Sequence, residues 1–101
     1  MQDITAIELK ARLDQGEKPF IIDVRESWEY EESNIGGLLI PLGELPGKLD
    51  ELEDHKEQEI IVHCRSGARS ATAKAFLESQ GFTQVRNLLG GILDWQRQFG
   101  A

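Results

Sequence analysis

Residues 59–70 of the chain read EIIVHCRSGARS. The apolar run that begins this segment is short and has charged neighbours, which is typical of a buried strand. Small and polar residues follow, and they lead into a helix that we expect from about residue 71 to residue 80. Ser70 is the predicted cap of this helix and Gly81 its predicted end. The segment therefore predicts a strand, a tight loop and a helix in direct succession.

The same alternation of strand and helix extends to both sides of this segment. Thr5 and Glu8 form the pattern of a capping box at the start of a first helix. Further strands are predicted at residues 20–24, 38–40 and 84–87. A helical stripe, which Pro46 must interrupt or restart, is formed by Leu42, Leu45, Leu49 and Leu52. A last helix after Gly90 and Gly91 would place Ile92, Trp95 and Phe99 on one side. Alternating strands and helices predict an α/β fold, with a mainly parallel central sheet flanked by helices on both faces. The length suits one domain over residues 1–101.

Charge and cysteine content exclude several classes of partner. The formal net charge is −7 and no run of lysine or arginine offsets it, so we expect neither nucleic acid nor a membrane surface as a partner. No apolar window approaches the length of a membrane span, and no signal peptide is visible. The single cysteine cannot form an internal disulfide or a thiol-rich metal cluster, which indicates a reducing, cytoplasmic location and no metal.

The loop after the central strand carries the chemistry. Open parallel sheets bind ligands beyond the carboxyl ends of their strands, where Cys64 is expected. Backbone N–H groups of the loop and of the following helix start can converge on one anion, and Gly67 can adopt a positive φ. The predicted anion-binding loop consists of Arg65, Ser66, Gly67, Ala68, Arg69 and Ser70. The anion could be the Cys64 thiolate, a bound oxyanion or a persulfide. Lowering the pKa of the Cys64 thiol by about two units, so that the thiolate predominates at neutral pH, would need about 2.7 kcal/mol of preferential stabilisation of the thiolate. A few charge-assisted hydrogen bonds can supply that free energy.

The segment from Cys64 to Ser70 resembles the active-site loop of rhodanese domains. Three further motifs resemble this family and occur in the same order: DVRE with WEY at residues 23–30, IPL at 40–42 and LGGILDW at 89–95. The chain departs from the family pattern at residues 33–38, SNIGGL, where a GHIxGA sequence is common. The resemblance covers nearly the whole chain.

The resemblance implies a sulfurtransferase. Cys64 would take sulfane sulfur from a small anionic donor such as thiosulfate, hold it as a persulfide, and pass it to cyanide or a thiol. Arg65 and Arg69 would attract the donor, and neither a metal nor an organic cofactor is implied. A protein partner in a sulfur relay also fits this picture. Arg25 would either assist donor binding or form a structural ion pair, and Asp23 would fix a turn by hydrogen bonding.

Other functions compete with sulfur transfer. A cysteine phosphatase also holds a thiolate in an anion-binding loop, but the interval from Cys64 to Arg69 is one residue shorter than in that family. A Cys–His hydrolase is disfavoured, because His63 and Cys64 are adjacent on a strand and point to opposite faces. A non-catalytic rhodanese-like module that binds or regulates a partner is the alternative from another class. We expect His63, Trp28 and Trp95 to be packing residues; a place near a pocket mouth is the alternative for the two tryptophans.

Overall fold

Four parallel strands form a sheet in the order β2-β1-β3-β4 in a computed structural model that describes residues 1–100. The strands are β1 (Phe20–Asp23), β2 (Leu38–Leu39), β3 (Glu59–His63) and β4 (Gln84–Asn87). The helices are α1 (Ala6–Asp14), α2 (Ser27–Glu32), α3 (Leu49–Leu52), α4 (Ala68–Ser79) and α5 (Gly91–Phe99), with 3₁₀ turns at Leu42–Lys48 and Glu53–His55. The predicted α/β fold with a parallel sheet is confirmed.

Helices cover both faces of the sheet, as predicted. Alternate residues of β3 point to opposite sides: Ile60 and Val62 join one buried cluster, and Ile61 joins the other. The first cluster includes Leu77 of α4 and the leucines that surround α3. The second contains Leu9 of α1 and Trp95 of α5. Because both faces are covered, the strands read as short continuous apolar runs rather than as alternating ones.

The first helix begins where its capping box predicts. The Thr5 hydroxyl accepts a hydrogen bond from the Glu8 backbone N–H at 3.1 Å, and the Glu8 carboxylate accepts one from the Thr5 N–H at 3.2 Å. These reciprocal bonds satisfy two of the backbone donors that a helix start leaves free. A capping box involves residues three positions apart, and so it can be predicted from the sequence alone.

One local prediction is wrong. Helix α4 begins at Ala68, so Ser70 lies inside its first turn and does not cap it; Gly67 occupies the cap position with a φ of +112°. The interruption predicted at Pro46 is observed: the leucine stripe begins in a 3₁₀ turn that contains Pro46, and the α-helix that follows has only four residues. Phe99 packs edge-on against Trp95, on the side of the last helix where it was predicted, with ring centroids 5.0 Å apart, and it is 37% exposed.

The register of the strands places the carboxyl ends of β1, β3 and β4 side by side. Asp23 pairs with His63 across β1 and β3, and Val62 pairs with Asn87 across β3 and β4. The carboxyl ends of these strands therefore lie at one edge, and Cys64 follows immediately after β3. Within residues 1–100, no helix is long and apolar enough to cross a membrane.

Candidate active site

The sulfur atom of Cys64 lies at the amino end of α4. It accepts hydrogen bonds from the Gly67 N–H at 3.1 Å, the Ser70 N–H at 3.4 Å and the Ser70 hydroxyl at 3.4 Å. The residue is almost completely buried, with 1% exposure. The predicted convergence of loop and helix donors on one point is therefore present, and that point is the Cys64 sulfur itself.

These donors change the acidity of the Cys64 thiol. Burial by itself raises the pKa of Cys64, because a charged thiolate is poorly solvated there. The hydrogen bonds from the Ser70 hydroxyl and from the backbone N–H groups of Ser70, Gly67 and Ser66 oppose burial and prevail, so the pKa of Cys64 lies below its ordinary value. The direction agrees with the sequence analysis. The main cause of the lowered pKa is the set of hydrogen bonds from the loop and the first turn of α4. The charges of Arg65 and Arg69 are not among its main causes.

A left-handed glycine makes this convergence geometrically feasible. Gly67 has a φ of +112°, a conformation that costs a residue with a side chain about 1–2 kcal/mol. The reversal turns the Gly67 N–H toward the sulfur and leaves its carbonyl oxygen to accept from Ala71 in α4, at 3.0 Å. One residue thus closes the loop on one side and starts the helix on the other.

The amino end of α5 holds the backbone of the same loop from behind. The Ile92 N–H donates to the Cys64 carbonyl oxygen and the Leu93 N–H to that of Arg65, both at 3.0 Å. This approach requires glycine at position 91, since a Cβ there would lie 2.6 Å from the Cys64 oxygen and still closer to the Arg65 oxygen. The LGGILDW motif is therefore a clamp on the Cys64–Arg65 peptide, a role that the sequence analysis did not assign.

Arg69 is already occupied by a carboxylate. Its guanidinium forms a bidentate ion pair with Glu29 of α2, at 2.6 and 2.9 Å. The hydrogen bonds from Arg69 lower the pKa of the largely buried Glu29 to about 2, against the opposing effect of burial. The pair ties α2 to the first turn of α4. Sequence reasoning missed Glu29, because its partner lies 40 residues away.

Arg65 is exposed and forms no ion pair with any carboxylate of residues 1–100. It borders an open cavity of about 250 Å³ beside the loop, with Trp28, Leu93 and Gln96 among the other lining residues. Of the two interpretations of Trp28, the packing role is wrong and the place at a pocket mouth is correct, because its side chain is 62% exposed at this cavity. Of the two loop arginines, Arg65 is the one whose charge is available to an approaching anion.

Arg25 belongs to a buried ion pair. Its guanidinium donates to the Asp23 carboxylate at 2.7 Å, and the two side chains are 4% and 0% exposed. Asp23 also accepts the backbone N–H of Arg25 at 3.0 Å, which is the predicted turn-fixing bond. Of the two roles expected for Arg25, the structure favours the ion pair, although the residue also borders the cavity.

His63 is a packed strand residue, as predicted. It is fully buried, its Nε2 lies 3.5 Å from Asp23, and its Nδ1 lies 3.4 Å from the carbonyl oxygen of Cys64, not from the sulfur. Burial lowers the pKa of His63, which favours the neutral ring. The side chain lies on the opposite face of β3 from Cys64, so this geometry does not make a Cys–His catalytic pair.

Asn87 is a second residue that sequence reasoning missed. It ends β4, is 6% exposed, and its side chain bridges the Ser70 hydroxyl at 2.6 Å and the Gly67 carbonyl oxygen at 3.1 Å. The available signal was positional, because a polar residue at the end of a strand adjacent to the one before Cys64 lies at the ligand-binding edge. No group of three or more metal-ligating side chains occurs in the part of the chain that the structure describes.

The chain belongs to the rhodanese-like domain family, whose sequence model matches residues 5–98. A putative sulfur carrier protein of Bacillus subtilis is 39% identical over 94 residues, which are 92% of this chain but only half of that protein. A sulfurtransferase of Allochromatium vinosum is 35% identical over 96% of this chain and 90% of its own length. The crystal structure of a rhodanese-like domain protein from Staphylococcus aureus is similar with a TM-score of 0.85, at 31% identity, over 94% of this chain and 91% of that one.

These relatives support sulfur transfer in general as the activity of the family members to which this chain is similar. The match over residues 5–98 agrees with the resemblance of the four motifs, which also covers nearly the whole chain.

Proposed function

We propose that this chain is a sulfurtransferase that carries sulfane sulfur as a persulfide on Cys64, with thiosulfate as a donor and cyanide or a thiol as acceptor. One observation carries the proposal: three donors, the N–H groups of Gly67 and Ser70 and the Ser70 hydroxyl, lie within hydrogen-bonding distance of the Cys64 sulfur at a helix amino end, beside an arginine without an ion-pair partner in the described chain. The relatives named as a sulfurtransferase and a putative sulfur carrier support sulfur transfer in general.

Sulfur transfer from thiosulfate requires two displacements at sulfur. In the first, the Cys64 thiolate attacks the outer sulfur of thiosulfate, a new S–S bond forms, and the bond to the sulfonate sulfur breaks with its electron pair leaving on sulfite. In the second, cyanide or a thiolate takes the terminal sulfur, and the electron pair of the broken S–S bond returns to Cys64. Atoms and charge balance in each step without an electron carrier.

The loop donors and Arg65 would assist different parts of this sequence. The N–H groups of Gly67 and Ser70 keep the attacking sulfur ionised, and they stabilise the same thiolate when it departs in the second step. Arg65 would attract the doubly charged donor across a chain that is otherwise acidic. The remaining loop residues, Ser66, Ala68 and Arg69, shape the loop and fix it to α2.

The partners in this proposal are small anions and thiols, which include the thiol of a partner protein in a sulfur relay. A relay fits the exposed aromatic and aliphatic side chains of Trp28 and Leu93 at the cavity beside the loop. A reducing compartment such as the cytoplasm suits an unpaired cysteine that must alternate between thiolate and persulfide.

The test is the intact mass of the protein after incubation with thiosulfate. We expect one added sulfur atom, removed by a thiol reductant, and removed by cyanide with release of thiocyanate. Cys64→Ser should abolish the added mass and reduce turnover to the uncatalysed background, while the fold remains. Cys64 is the only cysteine, so the substitution leaves no second thiol to react.

The same preparation separates the proposal from its two rivals. Hydrolysis of an aryl phosphate that depends on Cys64, without persulfide formation, would support the phosphatase. Neither persulfide nor hydrolysis, in a protein that is folded and whose Cys64 is alkylated readily, would support the non-catalytic module. Undiminished sulfur transfer by folded Cys64→Ser would contradict the mechanism in any form.

A further inference from the structure

The Ser70 hydroxyl faces more acceptors than it can serve. Its oxygen lies 2.6 Å from Asn87 Oδ1, 3.2 Å from the Gly67 carbonyl oxygen and 3.4 Å from the Cys64 sulfur. A hydroxyl group has one hydrogen, so only one of these contacts is a full donated hydrogen bond at any moment. Ser70 is completely buried, and so a hydrogen bond lost here is not replaced by one to bulk water.

The orientation of the Asn87 amide follows from its second contact. The amide nitrogen lies 3.1 Å from the Gly67 carbonyl oxygen, which can only accept. The NH₂ group must therefore face Gly67, and the amide oxygen must face Ser70. Asn87 presents an acceptor to the Ser70 hydroxyl, at a distance shorter than that to the sulfur.

We propose that Asn87 is a positioning residue that competes with the Cys64 sulfur for the hydroxyl hydrogen of Ser70. When Cys64 is a neutral thiol, the hydroxyl donates to Asn87, and its oxygen is free to accept the S–H of Cys64. When Cys64 is a thiolate, the hydroxyl turns to the sulfur and Asn87 Oδ1 loses its donor. Asn87 thus makes ionisation of Cys64 less favourable, whereas the backbone N–H groups make it more favourable.

The competition has a consequence for sulfur transfer, and this consequence alone rests on the proposed function. In a persulfide the negative charge lies on the outer sulfur, and the inner sulfur bonded to Cβ is neutral. The Ser70 hydroxyl can then return to Asn87. Asn87 therefore favours the sulfur-loaded state over the free thiolate, which limits the reactivity of an empty Cys64 toward oxidants and alkylating agents.

The charged groups around this cluster are paired with one another. The elements packed around the cluster carry the pairs Asp3 with Lys74, Asp23 with Arg25, Glu29 with Arg69 and Asp94 with Arg97, while His63 lies beside Asp23 on the opposite face of the sheet. Arg65 is the exposed exception. Asp3 contacts Asn87 only through the backbone N–H, at 2.9 Å, so a change of the Asn87 side chain leaves these pairs in place.

The experiment is the alkylation rate of Cys64 against pH in four proteins: wild type, Asn87→Ala, Ser70→Ala and the double variant. The wild-type inflection should lie below about 8.5, the ordinary value for a thiol. Asn87→Ala should move it down by about half a unit to one unit, which is the size of one neutral hydrogen bond. Ser70→Ala should move it up, and in that background Asn87→Ala should change nothing, because the contested hydrogen is gone.

The sign of the shift distinguishes competition from simple support of the loop. A residue that only braced Gly67 would raise the inflection when removed, and would do so with or without Ser70. A raised inflection in Asn87→Ala would overturn the proposal, and so would a shift caused by Asn87→Ala that persists in the Ser70→Ala background. Asn34→Ala removes an exposed amide whose side chain hydrogen-bonds the backbone of Tyr30 and Gly36 and not the Cys64 loop; it serves as the matched control and should leave the inflection unchanged.

Asn87→Leu gives a second route, because it keeps the branched four-atom shape of the side chain and removes the acceptor. It should lower the inflection as Asn87→Ala does. If both variants lose cooperative urea unfolding, Asn87 is a structural brace and the proposal is wrong. The readout needs no sulfur donor, so failure of persulfide formation and failure of this competition are separate results.

Discussion

Two helix amino ends meet at Cys64, and they use the same backbone chemistry for different purposes. Helix α4 follows Gly67 and helix α5 follows Gly90, both glycines with a positive φ. The N–H groups at the start of α4 point to the Cys64 sulfur, whereas those of α5 point to the carbonyl oxygens of Cys64 and Arg65. The amino end of α4 donates to the Cys64 sulfur, whose charge changes, and the amino end of α5 donates to the backbone that carries this sulfur.

The difference shows that a helix amino end is not by itself a reactive site. Both ends have free donors and the positive end of a helix dipole. At α5 the donors are satisfied by neutral carbonyl groups, so they contribute rigidity. At α4 they are satisfied by sulfur, so they contribute to the stability of its charged form. The partner of the donors decides the role.

Gly91→Ala at the α5 end should have the largest effect on stability. The added Cβ would collide with two backbone carbonyl groups that cannot move without opening the loop. Together with the positive φ of +59°, we expect a loss of about 3 kcal/mol or more in the free energy of unfolding, measured in urea. Gly43→Ala is the control, since nothing lies within 4 Å of its added Cβ and its φ is not positive; it should change stability by no more than about 0.5 kcal/mol. Equal losses in both variants would mean that the clamp is unimportant.

Arg69→Ala at the α4 end should have the next largest effect. It leaves Glu29 largely buried without its partner, and we expect a loss of about 2 kcal/mol at neutral pH, after allowance for the partial exposure of Arg69. Because the pKa of Glu29 in the folded protein is lowered to about 2, the contribution of the pair is fully present above about pH 4.5 and is lost as the pH falls toward 2. Urea unfolding of wild type and variant at several pH values measures this. A difference that does not shrink in acid would contradict the ion-pair explanation.

Arg65→Ala should have the smallest effect on stability and a distinct kinetic effect. The side chain is exposed and unpaired among the described residues, so unfolding should change by no more than about 0.5 kcal/mol. In Arg65→Ala the KM for thiosulfate should rise severalfold, because a charge that attracts the donor is removed. The KM of the variant should also increase less steeply with salt than that of the wild type, because salt screens this attraction. Steady-state kinetics at two ionic strengths checks this. An unchanged KM in Arg65→Ala, with a raised one in Arg69→Ala, would reverse the roles assigned to the two arginines.

Several elements of the fold and the site were predictable because their signals are local. The capping box at Thr5 and Glu8 involves residues three positions apart, and the strand of residues 59–63 is marked by its own apolar run. The loop from Cys64 to Ser70 likewise combines a glycine that can reverse the chain with the start of a helix. Cys64 could be placed at the carboxyl end of a parallel strand because alternating strands and helices imply that topology.

The sequence by itself therefore determined the fold class, the position of Cys64 and the presence of donors around it, since each depends on neighbouring residues or on a simple alternation. Only the tertiary structure decided which groups those donors reach. Arg69 meets Glu29 across 40 residues and Ser70 meets Asn87 across 17, distances over which no local pattern operates. The exposure of Trp28 and the clamp of α5 on the Cys64–Arg65 peptide also arise from packing between distant segments. The physical reason is that hydrogen bonds and ion pairs form between atoms that are close in space, whereas a sequence records only which atoms are close along the chain.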